Sequence, residues 1–554
     1  MTGEVTGGHV LAAALERAGV DTVFTLCGNH ILPAYEGLID AGIELIDTRT
    51  EAGAVIAADA YARVTRRPAI ALVTGGPGHT NALTGLATAH AVGSPVILLS
   101  GSTERRLVGR GAQQEMEQVP AARPLCKWAA EVTDVAALPD AIDEAFRTAT
   151  SGTSGAVHLS LPVDVLSAPA AGLLPLGPVR PVRNRDTVPA GVVRQVAEML
   201  RQAQRPVVIV GTGAYMHQAD TALRALTDAT GLPVFTIDLA HGMLAGHRCT
   251  MGYADPALNG AARLIAAADV VLLLGKWLDF RLRFGAESVI AADARIVQVA
   301  ADATELGRNR DADVAVTGDI AGFTSALVAG LQAEALDFTA WCEKLAAAVG
   351  PPSGRGADPS GGGFHPYDVA RTLAGCLPDE VGLTLDAGDF VAWCRSVLTA
   401  PGPGRWLRLG PMSTCGAAVP MALGLKRARP GAPVVVITGD GSFGYHLIEF
   451  EAAARQALPF VAVVGNNGSW GIEQIFQREL YGEKYVRATQ LSMIRYDEVV
   501  RALGGYGEHV TSLTDLPAAL ERALASGLPA CLDIPVALVG SSLAEGVVAR
   551  RGEI

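Results

Sequence analysis

Short runs of β-branched and other apolar residues recur along the chain, separated by longer stretches whose apolar positions repeat with a helical period. Apolar runs of strand length that alternate with helices and are bounded by Gly and Pro are the pattern of parallel sheets covered on both faces. The pattern occurs three times. The first block predicts strands at DTVFTL (21–26), IELIDT (43–48), AIALVTG (69–75), PVILLSG (95–101) and AVHLSLP (156–162). The second predicts them at RPVVIVG (205–211), PVFTI (233–237), VVLLLG (270–275), RIVQVAAD (295–302) and VAVTGD (314–319). The third carries GLTLDAG (382–388), PVVVITGDG (433–441), PFVAVVGNN (459–467) and ACLDIPV (530–536). Pro-, Gly- and Arg-rich segments at 167–191 and Gly- and Pro-rich ones at 350–366 read as linkers. The expected fold class is therefore α/β, with three doubly wound parallel-sheet domains at 1–166, 188–348 and 366–540 and a short C-terminal tail at 541–554.

Length and composition agree with several domains. At 554 residues the chain is long for a single hydrophobic core. Its 49% hydrophobic and 18% charged residues are those of a compact soluble globule, not of a disordered chain. A net charge of −12 argues against a nucleic-acid or anionic-membrane surface, which would need clustered Lys and Arg. The eight cysteines (Cys27, Cys126, Cys249, Cys342, Cys376, Cys394, Cys415 and Cys531) show no C-x-x-C and no metal-type spacing, so reduced, inert thiols are expected. The N-terminus lacks a basic start followed by an apolar core, and no apolar run reaches the length of a membrane span. The cytoplasm is the expected compartment.

Open α/β sheets bind ligands beyond the carboxyl ends of their strands, so chemistry at those ends carries the most weight. VVVITGDGSF ends with Asp440 between Gly439 and Gly441, and VAVVGNNGSWG ends on two adjacent amides. A lone G-D-G reads first as a tight turn. The second strand ending on Asn467, one crossover length later, reverses that balance, because parallel neighbours would bring the Asp440 carboxylate and the Asn467 amide oxygen to one edge. Hard oxygen ligands, few in number, suit Mg²⁺, which completes its octahedron with water and phosphate oxygens. The two glycines let phosphates approach the backbone, and a helix beginning near Ser442 would direct its N-terminal N–H groups at them.

GDGS followed by NN, with the second Asn 27 residues after the Asp, resembles the diphosphate and magnesium motif of thiamine diphosphate enzymes. By that resemblance Asp440 and Asn467 are side-chain ligands to Mg²⁺ and Ser469 a backbone-carbonyl ligand. Gly388, Gly439, Gly441, Ser442, Trp470, Gly471 and Ile472 would contact the cofactor from the third domain, and Gly76, Pro77 and Asn81 of GGPGHTN from the first. The three domains become pyrimidine-binding, central and diphosphate-binding.

The first block resembles the family's pyrimidine-binding domain from GVDTVFTLCGN through GGPGHTN to LSLPVDV, and Glu51 falls on the family's catalytic glutamate. Taken alone, Glu51 reads as a first-turn surface acid favoured by the helix dipole. The resemblance instead implies a carboxyl buried among apolar neighbours that shares a proton with the aminopyrimidine ring. The ring would be propped by an apolar side chain. Cys415 stands there, where the family has a bulkier residue, and reads as buried packing rather than a nucleophile, with Met412 helping to fill the space.

Substrate clues are fewer. His30, in CGNHILP after the first strand, is matched in benzaldehyde lyase, whereas acetohydroxyacid synthases and 2-hydroxyacyl-CoA lyases lack a histidine there. GAQQEMEQVPAARPLCKWAAEV resembles benzaldehyde lyase around Q-x-x-x-x-Q-V, which matches Gln113 to that enzyme's active-site glutamine, while Gln114 is in register with a glutamine of acetohydroxyacid synthases. The expected function is a thiamine diphosphate- and Mg²⁺-dependent lyase or carboligase acting on aldehydes or 2-hydroxy ketones, with His30 and Gln113 holding the hydroxyl. The alternatives are an enzyme like 2-hydroxyacyl-CoA lyase or oxalyl-CoA decarboxylase, one like acetolactate synthase, or a silent structural relative. FAD or the ADP of CoA in the central domain has only the weak signal of VIVGTGAYM (208–216), which lacks a full G-x-G-x-x-G. His79 has no assigned role, and Trp470 reads as core as readily as pocket. Since Glu51 and Asp440 must serve one cofactor, the resemblance implies a homodimer at least, and a homotetramer by the family's habit, with no nucleic acid or membrane partner.

Overall fold

A computed structural model describes residues 4–177, 188–331, 336–351, 354–356 and 362–550. Parts of both expected linkers lie outside the described residues. Three parallel sheets of six strands are present. The first holds β1 (Thr22–Leu26), β2 (Glu44–Asp47), β3 (Ala69–Val73), β4 (Val96–Ser102), β5 (Trp128–Glu131) and β6 (Val157–Pro162), in the order β2-β1-β3-β4-β6-β5. The second holds β7 (Pro206–Val210), β8 (Val234–Thr236), β9 (Thr250–Tyr253), β10 (Val270–Leu274), β11 (Arg295–Ala300) and β12 (Val314–Thr317), in the order β12-β11-β10-β7-β8-β9. The third holds β13 (Gly382–Leu385), β14 (Trp406–Arg408), β15 (Val434–Gly439), β16 (Val461–Asn466), β17 (Tyr506–His509) and β18 (Ala530–Pro535), in the order β14-β13-β15-β16-β18-β17.

The inner strands are apolar throughout because both of their faces are covered. In the first sheet Ile70, Leu72, Ile97, Leu99, Val157 and Leu159, two apart along each strand, pack into one core cluster. Leu383, Leu385, Val435, Ile437, Val461 and Val463 do the same in the third. The first and third sheets share one topology, and in each the order reverses between the first and third strands of its own block. At such a reversal the connections leave on opposite faces and open a crevice at the carboxyl edge.

The sequence pattern omits β5, β9, β14 and β17, and each of these lies at the edge of a sheet or completes one. Such strands are short and partly exposed, so no continuous apolar run marks them: β5 reads half-buried at three of its four positions and exposed at the last. The expected tail is also more ordered than a tail, since Ser542–Ala549 is a helix capped by the Ser541 side chain.

The chain packs as two compact units. One comprises Met1–Asn184, Leu409–Gly431 and His446–Pro459, and the other Arg185–Arg408, Ala432–Tyr445 and Phe460–Ile554. The first sheet thus takes into its unit two segments that the sequence reading places in the third domain. The reason lies in the helix Glu51–Thr65. It is alanine-rich and buried over most of its length, and the helix Ala418–Ala428 packs along it. Its one buried ion pair, Arg63 Nε to Asp59 Oδ1 at 2.7 Å, is fully enclosed at both ends.

Candidate active site

In the second unit, β15 and β16 run parallel with Gly439 beside Gly465, so the residues that follow leave the sheet together. The Ser469 N–H donates to Asp440 Oδ2 at 3.0 Å and to Asn467 Oδ1 at 3.1 Å, which brings the carboxylate and amide oxygens side by side. The Ser469 hydroxyl donates to the same Asn467 oxygen at 2.9 Å. The two adjacent amides have different work. Asn466 is buried and donates to the Ile494 carbonyl at 2.8 Å and to Asp533 Oδ1 at 3.0 Å, leaving Asn467 to face the cleft.

Asp440 is 2% exposed, and burial pushes its carboxyl up to about 6 against the N–H groups of Asn467, Ser469 and Gly441 that favour its charge. A buried carboxylate held in the charged form by oriented N–H groups is suited to a divalent cation. The helix here is Asp440–His446, so it starts at the acid itself and not near Ser442.

These residues line an open cleft of about 380 Å³ at the reversal point of the third sheet. Gly388, Gly439, Asp440, Gly441, Ser442, Asn467, Ser469, Trp470, Gly471 and Ile472 all border it. Trp470 is half-buried wall rather than core. A Cβ on Gly441 would sit 2.8 Å from its ring, so Gly441 is needed for the indole to lie against the phosphate-approach turn. Sequence reasoning missed Asp389, which borders the cleft, accepts from the Ser541 N–H at 3.0 Å and is raised by burial to about 6. The acid in DAGDF was the available signal.

In the first unit, Glu51 opens its helix directly after the N-cap Thr50. It is half-buried, and its Oε2 accepts from Asn81 Nδ2 at 3.0 Å, so the acid meets an amide where an apolar wall was expected. Gly76 caps the helix Pro77–Val92 that carries Asn81. His30 follows β1 and Gly76 follows β3, the pair flanking this sheet's reversal point. The His30 Nδ1 lies 3.3 Å from Thr74 Oγ1, and partial burial lowers its pKa below the ordinary imidazole value.

Gln113 is exposed, and its carbonyl accepts from Thr103 at 3.3 Å. Gln114 is half-buried at φ +60° and rests against Gly76. Gln118, which sequence reasoning passed over, reaches the same glycine as His30. A Cβ on Gly75 would lie 3.1 Å from His30 Nδ1 and 3.0 Å from Gln118 Nε2. Gln118 is 3% exposed, donates to the Gly101 carbonyl at 2.9 Å, and leaves Oε1 buried without a partner among the described residues. Q-x-x-x-x-Q-V contained both glutamines, but a loop has no periodicity to say which one turns inward.

His79 is a core residue. It is fully buried against Ser100 Oγ at 2.9 Å and the His158 ring at 4.6 Å, and burial lowers it to about 4. Cys415 is half-buried, not buried as expected, and Met412 is 51% exposed.

In the central sheet the turns after β7 and β10 meet at the reversal point. Lys276 there binds Asp238 at 2.8 Å and Asp279 at 2.5 Å, which commits its charge within the domain. Among the described residues no helix is long and apolar enough to cross a membrane.

Three family models match: the thiamine pyrophosphate enzyme N-terminal TPP binding domain over residues 5–121, its central domain over 193–327 and its C-terminal TPP binding domain over 386–534. An acetolactate synthase large subunit of Mycobacterium tuberculosis is 34% identical over 535 residues, covering 95% of each chain. Human 2-hydroxyacyl-CoA lyase 2 is 34% identical over 547 residues, covering 90% of this chain and 84% of its own. A Caenorhabditis elegans 2-hydroxyacyl-CoA lyase 2 is 31% identical over 550 residues. With a glycine-bordered oxygen-ligand cleft at one sheet's reversal point and an amide-held glutamate beyond another, both inside the matched segments, the chain belongs to the thiamine pyrophosphate enzyme family.

Proposed function

We propose that this enzyme makes and breaks a carbon–carbon bond between a carbonyl carbon and a hydroxyl-bearing carbon, with an aldehyde or 2-hydroxy ketone as substrate in the manner of benzaldehyde lyase. The observation that carries the reading is His30 beside Thr74 in the first sheet's crevice, an imidazole that partial burial holds below its ordinary value and that shares the space at Gly75 with Gln118. Bound thiamine diphosphate supplies a carbon nucleophile that attacks carbonyls.

The residues have separate tasks. Asp440, Asn467 and the Ser469 carbonyl would hold Mg²⁺, which would help to bind the diphosphate, and the glycines beside Asp440 would leave room for its phosphates. Glu51, steadied by Asn81, holds the proton exchanged with the aminopyrimidine ring. His30 takes and returns the proton of the substrate hydroxyl, and Gln118 Oε1 accepts a hydrogen bond that has no other partner among the described residues. The reading includes a homodimer at least and assigns no nucleotide to the central domain.

A second reading, cleavage of a 2-hydroxyacyl-CoA or synthesis of acetolactate, is favoured by the names of the relatives. Incubating the enzyme with thiamine diphosphate, Mg²⁺ and, in turn, benzoin, pyruvate, formaldehyde and a 2-hydroxyacyl-CoA, with products read by mass, separates the two. Turnover of benzoin is expected, and a preference for the CoA ester overturns the first reading.

A further inference from the structure

The helix Glu449–Arg455 grips the segment that carries Glu51 at several points within the first unit. Gln456, which follows the helix, accepts from the Asp47 N–H at 3.0 Å and donates to the Asp47 carbonyl at 2.8 Å. Arg455 donates to both Asp47 carboxylate oxygens, at 2.8 and 2.7 Å. Arg49 donates to Glu451 Oε2 at 2.9 Å. The charged pairs among these are exposed and screened, and each contributes little.

Glu449 differs from them. It is fully buried, and its carboxylate accepts from the Arg49 N–H at 2.9 Å and from the Thr50 hydroxyl at 3.1 Å. The Thr50 oxygen in turn accepts from the Gly53 N–H at 3.0 Å, the cap bond of the helix whose first residue is Glu51. A Cβ on Gly53 would sit 2.6 Å from Glu449 Oε1, so glycine is what lets the carboxylate reach beneath the first turn.

We propose that Glu449 is a positioning residue for Glu51, its buried carboxylate fixing the main chain at Arg49 and the Thr50 cap and thereby the turn on which Glu51 stands. The proposal rests on the role given to Glu51 above. Burial raises the Glu449 carboxyl to about 7, against the Arg49 N–H and the Thr50 hydroxyl, which favour the charged form. Two other titratable or charged groups face it. One is the Arg49 guanidinium, and the other is His446, which lies 3.3 Å from the same Thr50 hydroxyl, is lowered by burial to about 4 and stays neutral near pH 7. Ionisation leaves a desolvated charge that the two donors only partly compensate, so the grip loosens as pH rises through about 7.

Amide hydrogen exchange on the cofactor-free protein, corrected for intrinsic rates, tests the grip without turnover. Exchange at Arg49 and Gly53 is expected to be at least ten-fold faster in Glu449→Ala than in the wild type. Wild-type protection there should fall between pH 6 and 8, and Glu449→Gln should abolish that fall. In the loaded enzyme Glu449→Ala should lower kcat ten-fold or more with KM nearly unchanged, Glu449→Gln should restore part of it, and the pH profile should lose its limb near 7. Unchanged exchange at both amides in Glu449→Ala overturns the proposal. Should that variant not fold, the pH series on Glu449→Gln decides, and a fall matching the wild type overturns it. Full activity of Glu51→Gln would instead sink the reading of Glu51 while leaving the exchange result standing.

Discussion

At the scale of single residues, the site depends on which oxygen each side chain presents. Asp440 and Asn467 share the Ser469 N–H donor, which holds their two oxygens side by side. Asp440→Ala is expected to abolish Mg²⁺-dependent cofactor binding, measured by calorimetry with and without the metal. The role proposed for Glu51 is proton exchange with the cofactor, not metal ligation. Glu51→Gln should therefore keep cofactor affinity within about three-fold and lose roughly a hundred-fold or more in turnover, the usual scale for a general acid or base. Hydrogen–deuterium exchange at the cofactor's reactive carbon checks the same step before any substrate is added. His30→Ala with Gln118 intact should lower turnover, and Gln113→Ala should not, because the Gln113 side chain is exposed.

At the scale of the element, one helix determines how Glu51 is presented. Thr50 caps it, Gly53 opens its first turn, and Asp59 with Arg63 closes its buried side. Thr50→Ala removes a cap bond and should destabilise the protein by about 1 kcal/mol in chemical denaturation. Asp59→Ala leaves the Arg63 charge buried without its carboxylate and should cost about 3–5 kcal/mol. The helix was legible in the sequence as an alanine-rich run behind a β-strand. Its hold on the helix Glu449–Arg455 was not, because the partners are some 400 positions apart and share no local pattern.

At the scale of the whole molecule, buried titratable groups pull stability in opposite directions with pH. His79, His241 and His446 are lowered to about 4, 3 and 4, so the stability they contribute is present above the ordinary imidazole value and is lost as pH falls below it. Glu449 is raised from the ordinary 4.5 to about 7, so folding favours its protonated form. Its contribution is present below about 4.5 and is lost as pH rises to about 7. A shift of that size corresponds to about 3 kcal/mol. Thermal melts of the cofactor-free Glu449→Gln variant and the wild type should therefore diverge as pH rises from 4.5 to 7, with the variant gaining relative stability, and run parallel above that.

The sequence by itself determined the three α/β domains, the inner strands and the residues that border the third sheet's cleft. Strands buried on both faces must be continuously apolar, and the residues that end them must be polar where a ligand sits, so local order along the chain carries both facts. Edge strands such as β5 and β17 escaped because partial exposure removes that pattern. Only the tertiary structure decided that Gln118 is buried at Gly75 while Gln113 is exposed, that Asn466 is structural while Asn467 faces the cleft, and that Glu449 lies beneath the first turn of the Glu51 helix. Each of those is a question of which side chain is desolvated beside which partner, and desolvation is a property of the packed chain.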